Sequence, residues 1–87
     1  MLFDTHVNLH AEQYHSDLPE VLARARAAGV TAMIAICDRL DRLPAVKAIA
    51  AAHSDIWCSV GVHPHYAKDF WSLEAGTLVE EARDPKV

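Results

Sequence analysis

The sequence has no run approaching the roughly 20 apolar residues that a membrane-crossing helix needs. Its start, Met1-Leu2-Phe3-Asp4-Thr5-His6, lacks the basic and apolar regions of a secretion signal. Both absences place the expectation on a cytoplasmic chain with no membrane partner. Clustered basic residues are also missing: the eight Lys and Arg are scattered singly and the formal charge is −4, so no electrostatic footprint for nucleic acid stands out. A metal can neutralise phosphate without such a patch. No Gly-rich phosphate loop of either common kind is present, which counts against a small nucleotide-binding module. Cysteine is sparse. Cys37 and Cys58 lie inside apolar runs and read as buried thiols acting as small hydrophobes, with a disulfide as the lesser alternative.

What is present is a chain made to pack. Hydrophobic residues make up 52% of its 87 positions, enough for one domain at most. A domain of this size buries only about 60–65% of its unfolded surface, so its stability margin is thin.

Short strand-like runs alternate with helical periods. A strand starts at once over Met1 to Asp4. Leu18, Val21, Leu22, Ala25 and Ala28 then recur at helical spacing, with Asp17 at the N-cap, Pro19 in the first turn and Gly29 at the stop. Thr31 to Cys37 is a continuous apolar run, as expected of a parallel strand covered on both faces. A second helix is predicted from near Asp41 to Pro44, turning Val46, Ile49 and Ala50 inward. Ile56 to Val62 is predicted as a third strand. Ser72 is predicted to cap a third helix that carries Leu73, Leu78, Val79 and Ala82 inward and stops at Asp84-Pro85. Lys86-Val87 reads as the opening of a fourth strand. The result is α/β, a βαβαβα order with a parallel sheet and right-handed crossovers, with no linker, sequence repeat or second domain. Three strands do not close a barrel, and their free edges invite pairing with another chain.

Two places carry side chains suited to chemistry. Asp4-Thr5-His6-Val7-Asn8-Leu9-His10 lies at the C-terminal end of the first strand. Residues two apart on a strand share a face and sit roughly 6–7 Å apart, a spacing at which two donors grip one cation. Here the pair is His6 and Asn8, and an amide oxygen suits a hard cation better than Zn²⁺. His10 would lie roughly 13 Å from His6 along an extended strand and joins it only if the chain curls. The second place is Gly61-Val62-His63-Pro64-His65, where Pro64 keeps His63 extended and both rings can emerge at the mouth that holds His6. The plain alternative is a turn in which His63 bonds to backbone and His65 is solvated. His15 and His53 read as surface or helix-end residues.

These pieces together resemble the TatD family of metal-dependent hydrolases. The resemblance rests on the opening Met-Leu-Phe-Asp-Thr-His6, on Leu22-Ala-Arg-Ala-Arg-Ala-Ala-Gly-Val30, on Trp57-Cys-Ser-Val-Gly-Val-His-Pro-His65 and on the closing Asp84-Pro-Lys-Val87. It implies the N-terminal third of a (β/α)8 TIM barrel, residues 1–87 supplying its first three βα units. It implies a deoxyribonuclease that uses divalent metal ions (Mg, Mn or Zn) to cleave phosphodiester bonds of DNA. His6 matches the first His of the family's His-x-His metal motif. His63, with His65 beside it, matches the His of its Gly-x-His-Pro string, near substrate. Asn8 departs from the motif and should weaken one metal position. The family's remaining ligands fall beyond Val87, so the expectation is an inactive fragment with no catalytic residue of its own. The competing expectation is a non-catalytic chain that associates, with itself or with another protein, through its open sheet edges.

Overall fold

A computed structural model describes all residues, Met1 to Val87. Its elements in chain order are β1 (Leu2–Val7), α1 (Leu18–Ala27), β2 (Val30–Ala35), α2 (Leu43–Ala52), β3 (Ile56–Cys58) and α3 (Ala75–Glu81). Three 3-10 segments, Glu12–Tyr14, Leu40–Arg42 and Pro64–Phe70, punctuate them. The three strands form one parallel sheet in the order β1-β2-β3. This is the α/β alternation expected from the sequence, and it matches the opening part of a TIM barrel.

Each element follows from local chemistry. Pro19 sits in the first turn of α1, where its missing N–H costs nothing. Gly29 ends that helix at φ 98°, a left-handed conformation that only glycine adopts without strain. Asp17 occupies the N-cap position as expected, but its side chain makes no capping bond. Its backbone carbonyl instead accepts the first helical bond, from Val21 N at 3.0 Å, and Oδ1 is left buried without a partner. Pro44 does for α2 what Pro19 does for α1.

The core lies between the helices and one face of the sheet. Met33, Ala35, Ile56 and Cys58 are buried there against Leu22 of α1 and Leu43, Val46 and Ala50 of α2. Neighbouring residues on the strands point the other way, onto a face no helix covers: Phe3 is 66% exposed and Trp57 41%. Register explains the partition, because Phe3 pairs with Ala32 and Ile34 with Trp57, while Met33 pairs with Ile56 and Ala35 with Cys58.

Three expectations need correction. The third strand ends at Cys58 rather than Val62, because the Ser59 hydroxyl takes the Cys37 N–H at 3.1 Å and interrupts the backbone ladder. Beyond it the chain condenses into the 3-10 segment Pro64–Phe70, and Ser72 falls in the turn that follows, where Leu73 N bonds Phe70 O at 2.9 Å. The third helix therefore starts at Ala75, with Glu74 and not Ser72 at its N-cap. That shift changes its inward face: Val79 is 59% exposed and Ala82 is exposed too, whereas Leu78 is half-buried. Both cysteines are buried and free, and burial pushes both thiols up from their ordinary range.

A cavity at the strand ends

The C-terminal ends of β1 and β2 and the chain leaving β3 open onto a cavity of about 230 Å³, walled by His6, Asn8, Ile36, Asp38, His63, His65 and Tyr66. His6 precedes Val7, which pairs with Ala35 on the helix-covered face, and the β1–β2 register shifts between Asp4 and Val7, so His6 sits in an irregular stretch at the strand's end rather than in a plain alternation. The His6 N–H is held by Asp4 Oδ1 at 3.1 Å. His63 and His65 arrive on the extended backbone that Pro64 imposes, since His63 has φ −63° and ψ 143°. Its N–H donates to the Asp38 carbonyl at 2.8 Å, which ties the third strand's exit to that of the second.

The imidazoles meet edge to face with centroids 4.6 Å apart. His63 Nδ1 accepts from the His65 N–H at 3.1 Å, which leaves His63 Nε2 as the ring nitrogen free to act on a ligand. Both elements of the plain alternative are therefore present, a backbone bond to His63 and an exposed His65, alongside the shared cavity.

His10 does not join them. The strand ends at Val7, Ala11 N bonds back to Asn8 O at 3.1 Å, and the turn carries His10 away from His6. Its side chain is 7% exposed, with Nε2 3.1 Å from Asp38 Oδ1 and Nδ1 buried without a partner. His15 is exposed, bonding His10 O at 3.1 Å, and His53 is the C-terminal cap of α2, as read from the sequence. A second, larger hollow of about 630 Å³ adjoins the first and shares Asn8 and Asp38 with it, adding His10, Gln13, His15 and Arg42.

Asp38 is the residue the sequence reading passed over. One oxygen faces His10, the other accepts from Arg42 Nη1 at 2.9 Å, and its carbonyl holds His63. Its signal was its place, the first charged residue after the β2 apolar run. Arg39 beside it donates to Asp41 at 3.0 Å and to Asp69 at 3.1 Å, and it holds the Asp41 carboxyl below the usual range.

The donors present do not amount to a metal centre. No three His, Cys, Asp or Glu side chains converge at ligand distance, and both Asp38 oxygens are already engaged. His6 and the Asn8 amide leave a divalent ion short of the three or more protein ligands it usually takes. No helix is long and apolar enough to cross a membrane.

The family described as TatD related DNase matches residues 3–87. Similar curated proteins include a 3'-5' ssDNA/RNA exonuclease TatD of Klebsiella pneumoniae, 37% identical over 86 residues that cover 99% of this chain and 33% of the relative. Another, of the same name from Pantoea vagans, is 41% identical over 88 residues, covering 99% of this chain and 34% of the relative. The chain thus spans about a third of the length of the curated relatives it matches. With a match that runs over almost every residue, the chain belongs to the TatD related DNase family.

Proposed function

We propose that these 87 residues form the N-terminal third of a metal-dependent hydrolase that cleaves phosphodiester bonds of DNA, and that they contribute a substrate-facing wall without turning over by themselves. The observation that carries this reading is the cavity in which His6, Asn8, His63 and His65 face one another at the strand ends, the side where barrels of this class place their chemistry. Its size and donors suit a phosphate group. In this reading His63 Nε2 donates to a phosphoryl oxygen or exchanges a proton with a leaving oxygen, a role supported by the His65 N–H bond to Nδ1 that fixes its ring. His6 and Asn8 offer two donors toward a divalent ion (Mg, Mn or Zn) whose remaining ligands these residues do not supply, so no catalytic step is assigned to the chain alone.

A barrel joining this chain to the remaining two thirds of the Klebsiella pneumoniae relative tests the reading. Supplied with Mg²⁺ or Mn²⁺, it should release nucleotides from single-stranded DNA, and His63→Ala should slow it by roughly a hundredfold or more. Asn8→His should raise its metal content, measured by elemental analysis. A folded but inert barrel would defeat the proposal, and so would turnover with stoichiometric metal by the 87-residue chain. A second reading, a non-catalytic chain that self-associates, is favoured by one observation: Phe3 and Trp57 lie exposed on the uncovered sheet face.

A further inference from the structure

Three loops meet at one carboxylate. His10 belongs to the chain between β1 and α1, Asp38 and Arg42 to that between β2 and α2, and His63 to that after β3. The last rung between β1 and β2 is the bond from Ile36 N to Val7 O at 2.9 Å. Past it, the hydrogen bond that joins the first loop to the second runs from His10 Nε2 to Asp38 Oδ1, at 3.1 Å. The second and third loops are laced independently of that carboxylate. The Cys37 N–H donates to the Ser59 hydroxyl at 3.1 Å, and the Cys37 thiol to the Gly61 carbonyl at 3.6 Å. The Asp38 carbonyl then takes the His63 N–H at 2.8 Å.

The His10 ring is the unusual member. Its side chain is 7% exposed, yet Nδ1 has no partner. A carboxylate only accepts, so Nε2 carries the proton, and an unpaired Nδ1 is kept buried at a cost in stability. Packing alone would be served as well by an apolar ring. What the imidazole adds is its bond to Asp38.

We propose that Asp38, clamped by His10 and Arg42, is a positioning residue that sets the His63 ring against His6 and Asn8; the proposal rests on the phosphodiester reading of their cavity. His10 lies two residues past Asn8, and the turn from Asn8 O to Ala11 N at 3.1 Å carries the hold back to Asn8. On the other side, Arg42 Nη1 fixes the second Asp38 oxygen at 2.9 Å. With both oxygens held, the Asp38 peptide has one setting, and so has the His63 N–H bonded to its carbonyl. Rate falls steeply when a reacting group is misplaced, so a slack clamp slows the chemistry of the cavity without emptying it.

Two preparations test this. In the 87-residue chain, amide exchange followed by NMR reads the His63 N–H directly. Asp38→Asn turns one acceptor oxygen into a donor and should speed that exchange roughly tenfold, while the Met33 and Ile56 amides of the sheet keep their rates. His10→Gln retains an N–H where Nε2 stands and should behave as the parent. His10→Asn, whose amide reaches only the Nδ1 position, should behave as Asp38→Asn does. Equal rates in all four chains, equal loosening by both His10 variants, or loosening of the whole sheet would overturn the clamp. In the completed barrel, Asp38→Asn should lower kcat roughly tenfold, leave KM within about twofold, and add nothing once His63 is replaced by Ala. A full further loss in the His63→Ala background would show that Asp38 acts elsewhere and overturn the proposal. The two readings fail separately. An inert barrel over a clamp that behaves as described sinks only the nuclease, and a barrel that cleaves at the parent rate with Asp38→Asn sinks only the clamp.

Discussion

Arg26 leaves α1 near its end and meets Asp55, in the loop before β3, through paired bonds of 2.8 and 2.9 Å. The fork fits a carboxylate's geometry and fixes the approach of helix to strand. The Arg26 hydrogen bond holds the Asp55 carboxyl below its ordinary value, against the opposing pull of burial. A depressed carboxyl contributes its stability above the unfolded value of about 3.9 and loses it as the pH falls through the folded value. With Arg26 40% exposed, screening keeps the contribution to roughly 1 kcal/mol or less. Asp55→Asn should therefore lower the urea midpoint at pH 7, and its curve should converge with the parent's as the pH is taken from about 5 to 3. Curves that stay parallel would remove the ion pair from the account. Residues like this were invisible in the sequence, since partners 29 positions apart meet only through the fold. His63 and His65 were legible because Pro64 fixes the backbone between them. His10 was not, because its direction depends on whether the strand runs past Val7, and a single turn at Asn8 decides that.

Among the elements, α1, α2 and the first two strands were legible because periodicity and punctuation agree there: a proline in the first turn of each helix, a glycine after α1, an unbroken apolar run for β2. The Pro64–Phe70 segment was not. Its 3-10 turns rest on short-range backbone bonds such as Tyr66 N to His63 O at 2.8 Å, which leave no apolar period to read, and they displaced the start of α3. The packing contrast between β3 and α3 is testable. Ile56 is 0% exposed against α2, while Val79 of α3 is 59% exposed. Ile56→Val removes one methylene from a filled space and should cost about 1 kcal/mol in urea unfolding. Val79→Ala should fall within about 0.5 kcal/mol of the parent. Equal losses at the two positions would mean that α3 packs more tightly than its exposure indicates.

For the molecule as a whole, the sheet is the unbalanced part: helices cover one side and no helix covers the other. A groove of about 380 Å³ runs across that side, walled largely by Phe3, Ala32, Ile34, Trp57 and Val87. Lys86 screens part of it, its Nζ 4.5 Å from the Trp57 ring centroid, and the Lys86 carbonyl takes the Cys58 N–H at 2.8 Å. β1 has no such cover: β2 is its only strand neighbour, and Leu2 at its start is 58% exposed. An apolar face beside an unpaired edge gains by meeting another surface, because burial stabilises by about 25 cal/mol per Å² of apolar area removed from water. The 87-residue chain in isolation should therefore show a mass by light scattering that rises with concentration. Phe3→Glu, which places a charge on that face without touching the buried core, should shift it toward the monomer. Joining the chain to the rest of a barrel should have the same effect, since the strands that close the barrel then line the same face. Retention of a monomer at every concentration would show that the face tolerates water, and with it would go the reading of this chain as a self-associating module.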